Sequence, residues 1–489
     1  MATDDFFRAR LDQMIDMRHA LAVLATRMPW QDIETALAPA FAHRERAGQH
    51  VQDQDLFGTT LQIAGAGVSN RGRPRLPIRL MVSLLYLKHA FGLSDEEVVE
   101  RWSENVVWQF FSGMQYYEPK LPCDATQIGR FRRVLGEAGV EELLRSTIDT
   151  AVKIGAVSKK EFERVIVDTT VMEKAIAFPT DSRLLEVARE KIVRLAKRCG
   201  LKLKQTHERE GKTLRRRAGG YAHAKQFKRM RRVLRRQRTI LGSLLREVGR
   251  KMNGLSEAQR AQLQSWLQRA ERIRAQRPKD KNKLYALHAE EVECIGKGKA
   301  RQPYEFGVKT SLAVTHRHGL IVGARTFRGN PYDGHTLAEQ LEQTTILLED
   351  IAAAPSTAIV DLGFRGVDRE LAPVQVVHRG KAKTLTVQQR AWLKRRQAIE
   401  PTIGHLKADH GMDRCWLKGA QGDALHAVLC AAGFNIRWLL RAIARKGIRA
   451  LLFVFARLRR VLPQGVLAVA AAREVIALVA WPALRLKFG

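Results

Sequence analysis

The sequence predicts an α/β fold: a mixed sheet that carries the chemistry, interrupted by a basic helical insertion and preceded by an all-α N-terminal region. Three observations predict it. Two apolar runs, "VIVD" at 165–168 and "AIVD" at 358–361, each stop on an aspartate. The first 150 residues carry apolar residues at helical spacing. Between residues 191 and 240 stand 19 Lys and Arg against two acidic residues, Glu208 and Glu210, a surplus of 17 in a stretch of helical pattern.

Taken in order, "RPRLPIRLMVSLLYLKHAFGL" places apolar residues at helical spacing behind two prolines. "SDEEVVERWSENVVWQFFSG" opens with Ser94 and Glu97, the arrangement of a capping box, and closes at Gly113. A third helix is expected after "PCDATQIGRFRRVLG", with Asp124 as N-cap and Gln127, Arg130, Arg132 and Arg133 on or near its first turns. Short helices with a basic last member suit a helix-turn-helix-like DNA reader, and suit equally a bundle with a solvated basic face.

Strands take over at 165. The run Val165-Ile166-Val167 reads as a central strand covered on both faces, whose interior should not hold an unpaired charge. "YEFGVKTSLAVTHRHGLIVGARTFRG" (304–329) reads as a hairpin turning near Gly319, "DGHTLAEQLEQTTILLED" as a helix, and "STAIVDLGF" and "VQVVHRG" as short strands. This order describes an α/β domain with a mixed sheet. The expected divisions are 1–150, helical; 160–182 with 299–445, the sheet domain; 183–298, the basic insertion; and 446–489, a helical tail.

The charge of the whole chain points to a partner. Across 489 residues, 84 Lys and Arg oppose 50 Asp and Glu, leaving +34, a surplus expected of proteins that neutralise phosphates. Half of it sits in residues 191–240 of the insertion, where Arg215, Arg216 and Arg217 are candidate phosphate contacts. The five cysteines are odd in number and form no C-x-x-C pair, which fits a reducing cytoplasm. The acidic N-terminus does not read as a targeting segment, and the apolar stretch 466–486 is broken by Arg473, Glu474 and Pro482, so no membrane span is expected.

Two aspartates at strand ends in a basic domain suggest a shared cation, because strand ends of α/β sheets are where ligands bind. A third carboxylate is offered by "KRRQAIEPTIGHLKADHGMDR". If that segment is helical, Arg396, Glu400 and Lys407 fall within ~40° of one another on one stripe, beside an apolar stripe of Ile399, Ile403 and Leu406. Pro401 implies that the helix restarts there. Each acid has a plainer reading: Asp168 or Asp361 as a turn cap, and Glu400 as the partner of Arg396 on a helix. Asp333, in "GNPYDGHTL", is a rival second carboxylate whose position favours an N-cap. His335 and His405 could polarise water or be structural.

Arg396-x3-Glu400-x6-Lys407 resembles the Y-x2-R-x3-E-x6-K signature of bacterial insertion-sequence DDE transposases of the family-four and family-five superfamily. "VDTTVMEKAIAFPTDSRLL", "YEFGVKTSLAVT", "GNPYDGHTLAEQLEQ", "VDLGFRG" and "IEPTIGHLKADHGMDRCWLKGAQGD" look like the family-five branch, over about residues 55–445. The chain departs from the pattern at Leu393, where the signature has tyrosine, and at Phe364, where tyrosine is common. The resemblance implies a ribonuclease-H-like catalytic domain in which Asp168, Asp361 and Glu400 bind two divalent ions, Mg2+ or Mn2+, hard cations matched to carboxylate oxygens. It further implies a cytoplasmic, nucleoid-associated enzyme. This enzyme would bind the terminal inverted repeats of its element, cut each end and join the 3′-hydroxyls to target DNA, by hydrolysis and transesterification. Double-stranded DNA is the expected partner, with Arg396 and Lys407 beside the acids on phosphates, and a homodimer is expected in the DNA complex. A metal-dependent nuclease without strand transfer, or a catalytically inactive DNA-binding derivative, are the rival readings.

Overall fold

The computed structural model describes residues 9–42, 46–55, 58–67, 75–296, 303–366, 374–381 and 383–461. Three short helices, α1 (Leu11–Met14), α2 (Ala20–Arg27) and α3 (Trp30–Leu37), come first. An antiparallel ribbon follows, β1 (Arg46–Asp55) and β2 (Gly58–Gly67), paired from Arg46 opposite Gly67 to Asp55 opposite Gly58. The expectation of an all-α N-terminal region is therefore corrected. The ribbon hid because its first strand, "RAGQHVQDQD", alternates largely among polar residues and gives almost no apolar period to read.

The helices expected next are present. α4 (Ile78–Phe91) begins after Pro77 and stops at Gly92, whose left-handed φ of 64° ends the helix. α5 (Asp95–Glu104) opens on the Ser94–Glu97 capping box, with both reciprocal bonds formed. α6 (Val106–Phe111) and α7 (Ala125–Lys153) follow; Asp124 caps α7 by accepting from the Thr126 N–H at 2.8 Å, and Gly136, at φ 63°, breaks α7 into two segments.

The sheet is mixed. β3 (Arg164–Glu173) is central, antiparallel to β5 (Tyr304–Thr315) on one side and parallel to β7 (Thr357–Ile359) on the other, with β8 (Gln375–Val377) parallel beyond β7. β6 (Ile321–Phe327) returns along β5 through the turn at Gly319, and β4 (Glu293–Gly296) pairs with the start of β5. Val165, Ile166 and Val167 are fully buried, as a strand covered on both faces requires. β4 is four residues long, too short for its alternation to be read beforehand.

Between β3 and β4 lie α8 (Asp181–Arg198), α9 (Glu208–His223), α10 (Phe227–Lys251) and α11 (Glu257–Ala275). They bury their own clusters, Leu185, Ile192, Leu241, Leu263 and Ile273 among them, while Arg231, Arg232, Arg235 and Arg236 line the outer face of α10. After β6 come α12 (Leu337–Leu347), α13 (Val387–Arg395), α14 (Ile399–His410) and the long α15 (Gly419–Val461).

α15 packs on α4, α7 and β6, so one apolar core runs from Leu21 to Leu440 and joins the N-terminal helices to the sheet. Among the described residues it is the helix long and apolar enough to cross a membrane, with a mean hydropathy of 1.4 over an 18-residue window within Gly419–Gly447, but 67% of that window is buried in this core. The helix runs unbroken through residue 446; the apolar stretch 466–486 lies outside the described residues.

Candidate active site

β3 does not end on Asp168 as expected: it runs on, paired with β5, to Glu173, so Asp168 stands mid-strand opposite Leu312, one residue beyond the Val-Ile-Val run and past the end of its pairing with β7. Its side chain is 17% exposed, and burial, then the charge of nearby Asp361, pushes its carboxyl up to about 6; Arg396 opposes the shift and Asp333 adds to it. Arg396 Nη1 donates to Asp168 Oδ2 at 3.2 Å, and the Thr169 N–H donates to Oδ1 at 2.8 Å.

Asp361 follows β7 by two residues, placed there by the parallel pairing of β3 with β7. It also caps a turn: its Oδ1 accepts from the Gly363 N–H at 2.7 Å, holding the 3-10 turn Leu362–Phe364. The plain reading of Asp361 as a turn cap and its place beside Asp168 are thus both true of the same side chain.

Asp333 differs from its expected role as an N-cap. Its side chain makes no cap bond; Oδ1 accepts from Thr169 Oγ1 at 2.9 Å and from Lys309 Nζ at 2.7 Å, beside Asp168 on the same sheet edge. Lys309 also donates to Pro331 O at 2.6 Å. Gly363 closes the cluster. A Cβ built there would sit 2.9 Å from both Asp333 Oδ2 and Asp361 Oδ1, so only glycine leaves the space between the two carboxylates open. Lys309 went unread in the sequence, since nothing local ties it to a carboxylate 24 residues on.

Glu400 lies in the first turn of α14, 64% exposed, with Arg396 Nη2 3.7 Å from its Oε1. Arg396 and Glu400 meet as expected, but the segment is not one helix: Arg396 stands in a 3-10 turn, Arg396–Ala398, ahead of α14. Pro401 is accommodated because the first turn of a helix has no partner for its N–H groups. Lys407 lies 3.9 Å from Glu305 of β5. His405 pairs with Asp409 at 2.7 Å, and the His335 ring lies against Tyr332.

Further out, Gln127 is half-buried while Arg130 and Arg133 are exposed on α7; Arg132 turns inward to Asp95 at 2.7 Å. Arg215, Arg216 and Arg217 are all exposed on α9.

The donor set suits a hard divalent cation. Asp168 from the middle of β3 and Asp361 just past β7 are close enough to interact, and the Asp168 carboxyl is raised by burial and then by that like charge, a cost that a cation would offset. The donors are not drawn tightly together, however. Among the described residues, the His, Cys, Asp and Glu group whose ligand atoms all lie within 4.8 Å is His89, His426 and Cys430, elsewhere in the core.

Two families match the chain: "Transposase domain (DUF772)" over residues 55–134 and "Transposase DDE domain" over residues 367–440. The chain belongs to the insertion-sequence DDE transposases, enzymes of phosphoryl transfer on DNA that generally use divalent metal ions. It is similar to a protein of Rhizobium meliloti named "Uncharacterized protein ORF8 in nfe locus", 42% identical over 224 residues, covering 46% of this chain and 95% of that protein. No solved structure matches.

Proposed function

We propose that this DNA transposase, of the family-five branch, binds the terminal inverted repeats of its own element, cleaves a strand at each end and joins the freed 3′-hydroxyls to target DNA. Asp168, Asp361 and Glu400 are its metal-holding residues, for two Mg2+ or Mn2+ ions. The observation that carries this reading is the Asp168 carboxyl, buried midway along β3 and raised to about 6 by burial and by the charge of Asp361. Apolar packing gains nothing from two neighbouring carboxylates, whereas a bound cation would offset both charges.

When bound, two such ions supply an activated water or 3′-hydroxyl and a stabilised leaving oxygen in an in-line displacement. The protein's own groups do the rest. Asp168 and Asp361 hold charge at a fixed sheet edge, and Glu400 completes the set from the first turn of α14. Arg396, which pairs with Asp168, would hold a DNA phosphate beside the bound ions, with Lys407 further along α14. Gln127, Arg130 and Arg133 read the end sequence, and Arg215, Arg216 and Arg217 of the insertion grip phosphates. The active complex is a homodimer on double-stranded DNA, working in the cytoplasm at the nucleoid.

The test is a single-turnover reaction of the full chain with a duplex carrying the element end and a separate target duplex, in Mg2+ or Mn2+. Joined products support the proposal. Cleavage without joining would reduce the protein to a nuclease, and binding without either reaction would make it an inactive derivative.

A further inference from the structure

Away from the carboxylates, three polar side chains meet inside the apolar core. His89, near the C-terminal end of α4, and His426 and Cys430, one turn apart on α15, are all buried. Cys430 Sγ lies 3.7 Å from His89 Nδ1 and 3.6 Å from His426 Nε2. His426 Nε2 is also 2.9 Å from Gly411 O, the carbonyl of the residue that ends α14.

We propose that His89, His426 and Cys430 form a structural site for a soft or borderline d10 cation, zinc(II) or copper(I), with the Gly411 carbonyl as a fourth donor. Both sulfur–nitrogen distances are those of a ligand shell. Zinc–sulfur and zinc–nitrogen bonds of ~2.3 and ~2.05 Å at a tetrahedral angle put sulfur and nitrogen ~3.6 Å apart. The two separations here are 3.7 and 3.6 Å. A thiolate with two imidazoles is also the donor set that selects such ions over magnesium or manganese.

Hydrogen bonding alone accounts for the cluster poorly. His426 Nε2 donates to Gly411 O and the thiol proton faces His89 Nδ1, an arrangement that leaves His89 Nε2 buried with no partner. Leaving one such atom unpaired costs about 1–3 kcal/mol, in a place where three apolar side chains would pack at no such cost. A cation would set against that cost a bond at Nδ1, the His89 nitrogen that faces Cys430. Binding converts the Cys430 thiol to a thiolate, its proton passing to solvent, shifts the His426 proton from Nε2 to Nδ1, and replaces the His426–Gly411 hydrogen bond by two bonds to the ion.

The consequence is mechanical. The ion would fasten α4 of the N-terminal helices to α15 of the core and to the end of α14, the helix that carries Glu400. His410 Nδ1, on the last turn of α14, already contacts His89 O at 2.8 Å. Because the cluster is buried, the ion enters as the chain folds and leaves slowly.

The experiment uses the full chain purified without a histidine tag. Metal analysis after dialysis reads zinc and copper per chain, and refolding with cobalt(II) reads the thiolate-to-cobalt absorption band that a carboxylate site cannot give. One ion per chain, and a band of matching stoichiometry that survives with Cys430 as the sole cysteine but not in Cys430→Ser, is the expected result. Should Cys430→Ser fail to fold, the sole-cysteine protein decides by itself. Substoichiometric zinc and copper with no cobalt band, or a band that persists in folded Cys430→Ser, would overturn the proposal.

Discussion

Arg396 Nη1 donates to Asp168 Oδ2 at 3.2 Å while its Nη2 lies 3.7 Å from Glu400 Oε1, so one guanidinium stands between two of the proposed metal-holding carboxylates. It occupies the role of a counter-charge that the cations would take over. Arg396→Gln should therefore leave Asp168 with less opposition to its raised pKa and weaken the complex with end DNA as well as the rate of cleavage. Gel-shift titration together with single-turnover rates checks this; a slower rate with unchanged DNA affinity would restrict Arg396 to tuning the carboxylates.

The raised carboxyl of Asp168 predicts a pH dependence of stability. Its folded value, about 6, lies above the unfolded one near 3.8, so protonated Asp168 favours the fold below pH ~4 and that contribution is lost as pH rises through 6. Asp168→Asn escapes the loss. In chelator it should be more stable than the wild type by ~1–3 kcal/mol at pH 8 and nearly equal to it at pH 4, from denaturant titrations at both values. Added Mg2+ should close the gap at pH 8 by stabilising only the wild type. A constant difference at both pH values would contradict the electrostatic reading.

Gly363→Ala places a methyl group 2.9 Å from Asp333 Oδ2 and Asp361 Oδ1. The two side chains must part, and misplacement of this size costs on the order of 100-fold in rate. Cleavage should fall by that order while end-DNA binding and melting temperature change little. An unimpaired Gly363→Ala would show that the space between those oxygens is not used.

Lys309→Met removes the cation that pairs with Asp333 Oδ1 at 2.7 Å. Three acids then share the sheet edge with Arg396 as their nearest cation, and the metal-free protein should lose about 1–3 kcal/mol. Divalent ions should restore part of that loss in thermal melts. No difference between melts with and without Mg2+ would separate Lys309 from the site.

Charge reversal at Arg215, Arg216 and Arg217 should flatten the salt dependence of DNA binding by ~0.9 in log–log slope for each phosphate that is no longer neutralised. Gln127→Ala should instead relax sequence preference, with little effect on random DNA. An unchanged slope would return α9 to a solvated basic face, and equal weakening on all sequences would remove Gln127 from base reading.

Much of the fold is legible in the sequence because it is written locally. Val165-Ile166-Val167 announces a covered strand, Ser94 with Glu97 announces a helix start, and Asp168 and Asp361 are marked by the apolar runs they interrupt. What escapes such reading depends on distant partners or weak periods. The pairing of Asp333 with Lys309 is made by the folding of β5 against the turn after β6, and no local pattern encodes it. The polar alternation of β1 carries no apolar signal, and the 3-10 turn at Arg396 interrupts a segment that reads as one helix. His89 and Cys430 are 341 residues apart, so their meeting is a product of α4 packing on α15.

The central claim is that Asp168, Asp361 and Glu400 hold the reactive ions. Single-turnover cleavage of an end-containing duplex by Asp168→Asn, Asp361→Asn, Glu400→Gln and Asp333→Asn tests it most directly. The account predicts that the first three lose cleavage and joining by orders of magnitude with end-DNA binding retained, and that Mn2+ partly rescues them, while Asp333→Asn keeps measurable activity. A dead Asp333→Asn beside a wild-type Asp361→Asn would show that the second acid is Asp333, and a wild-type rate for Asp168→Asn would contradict the metal-holding role altogether.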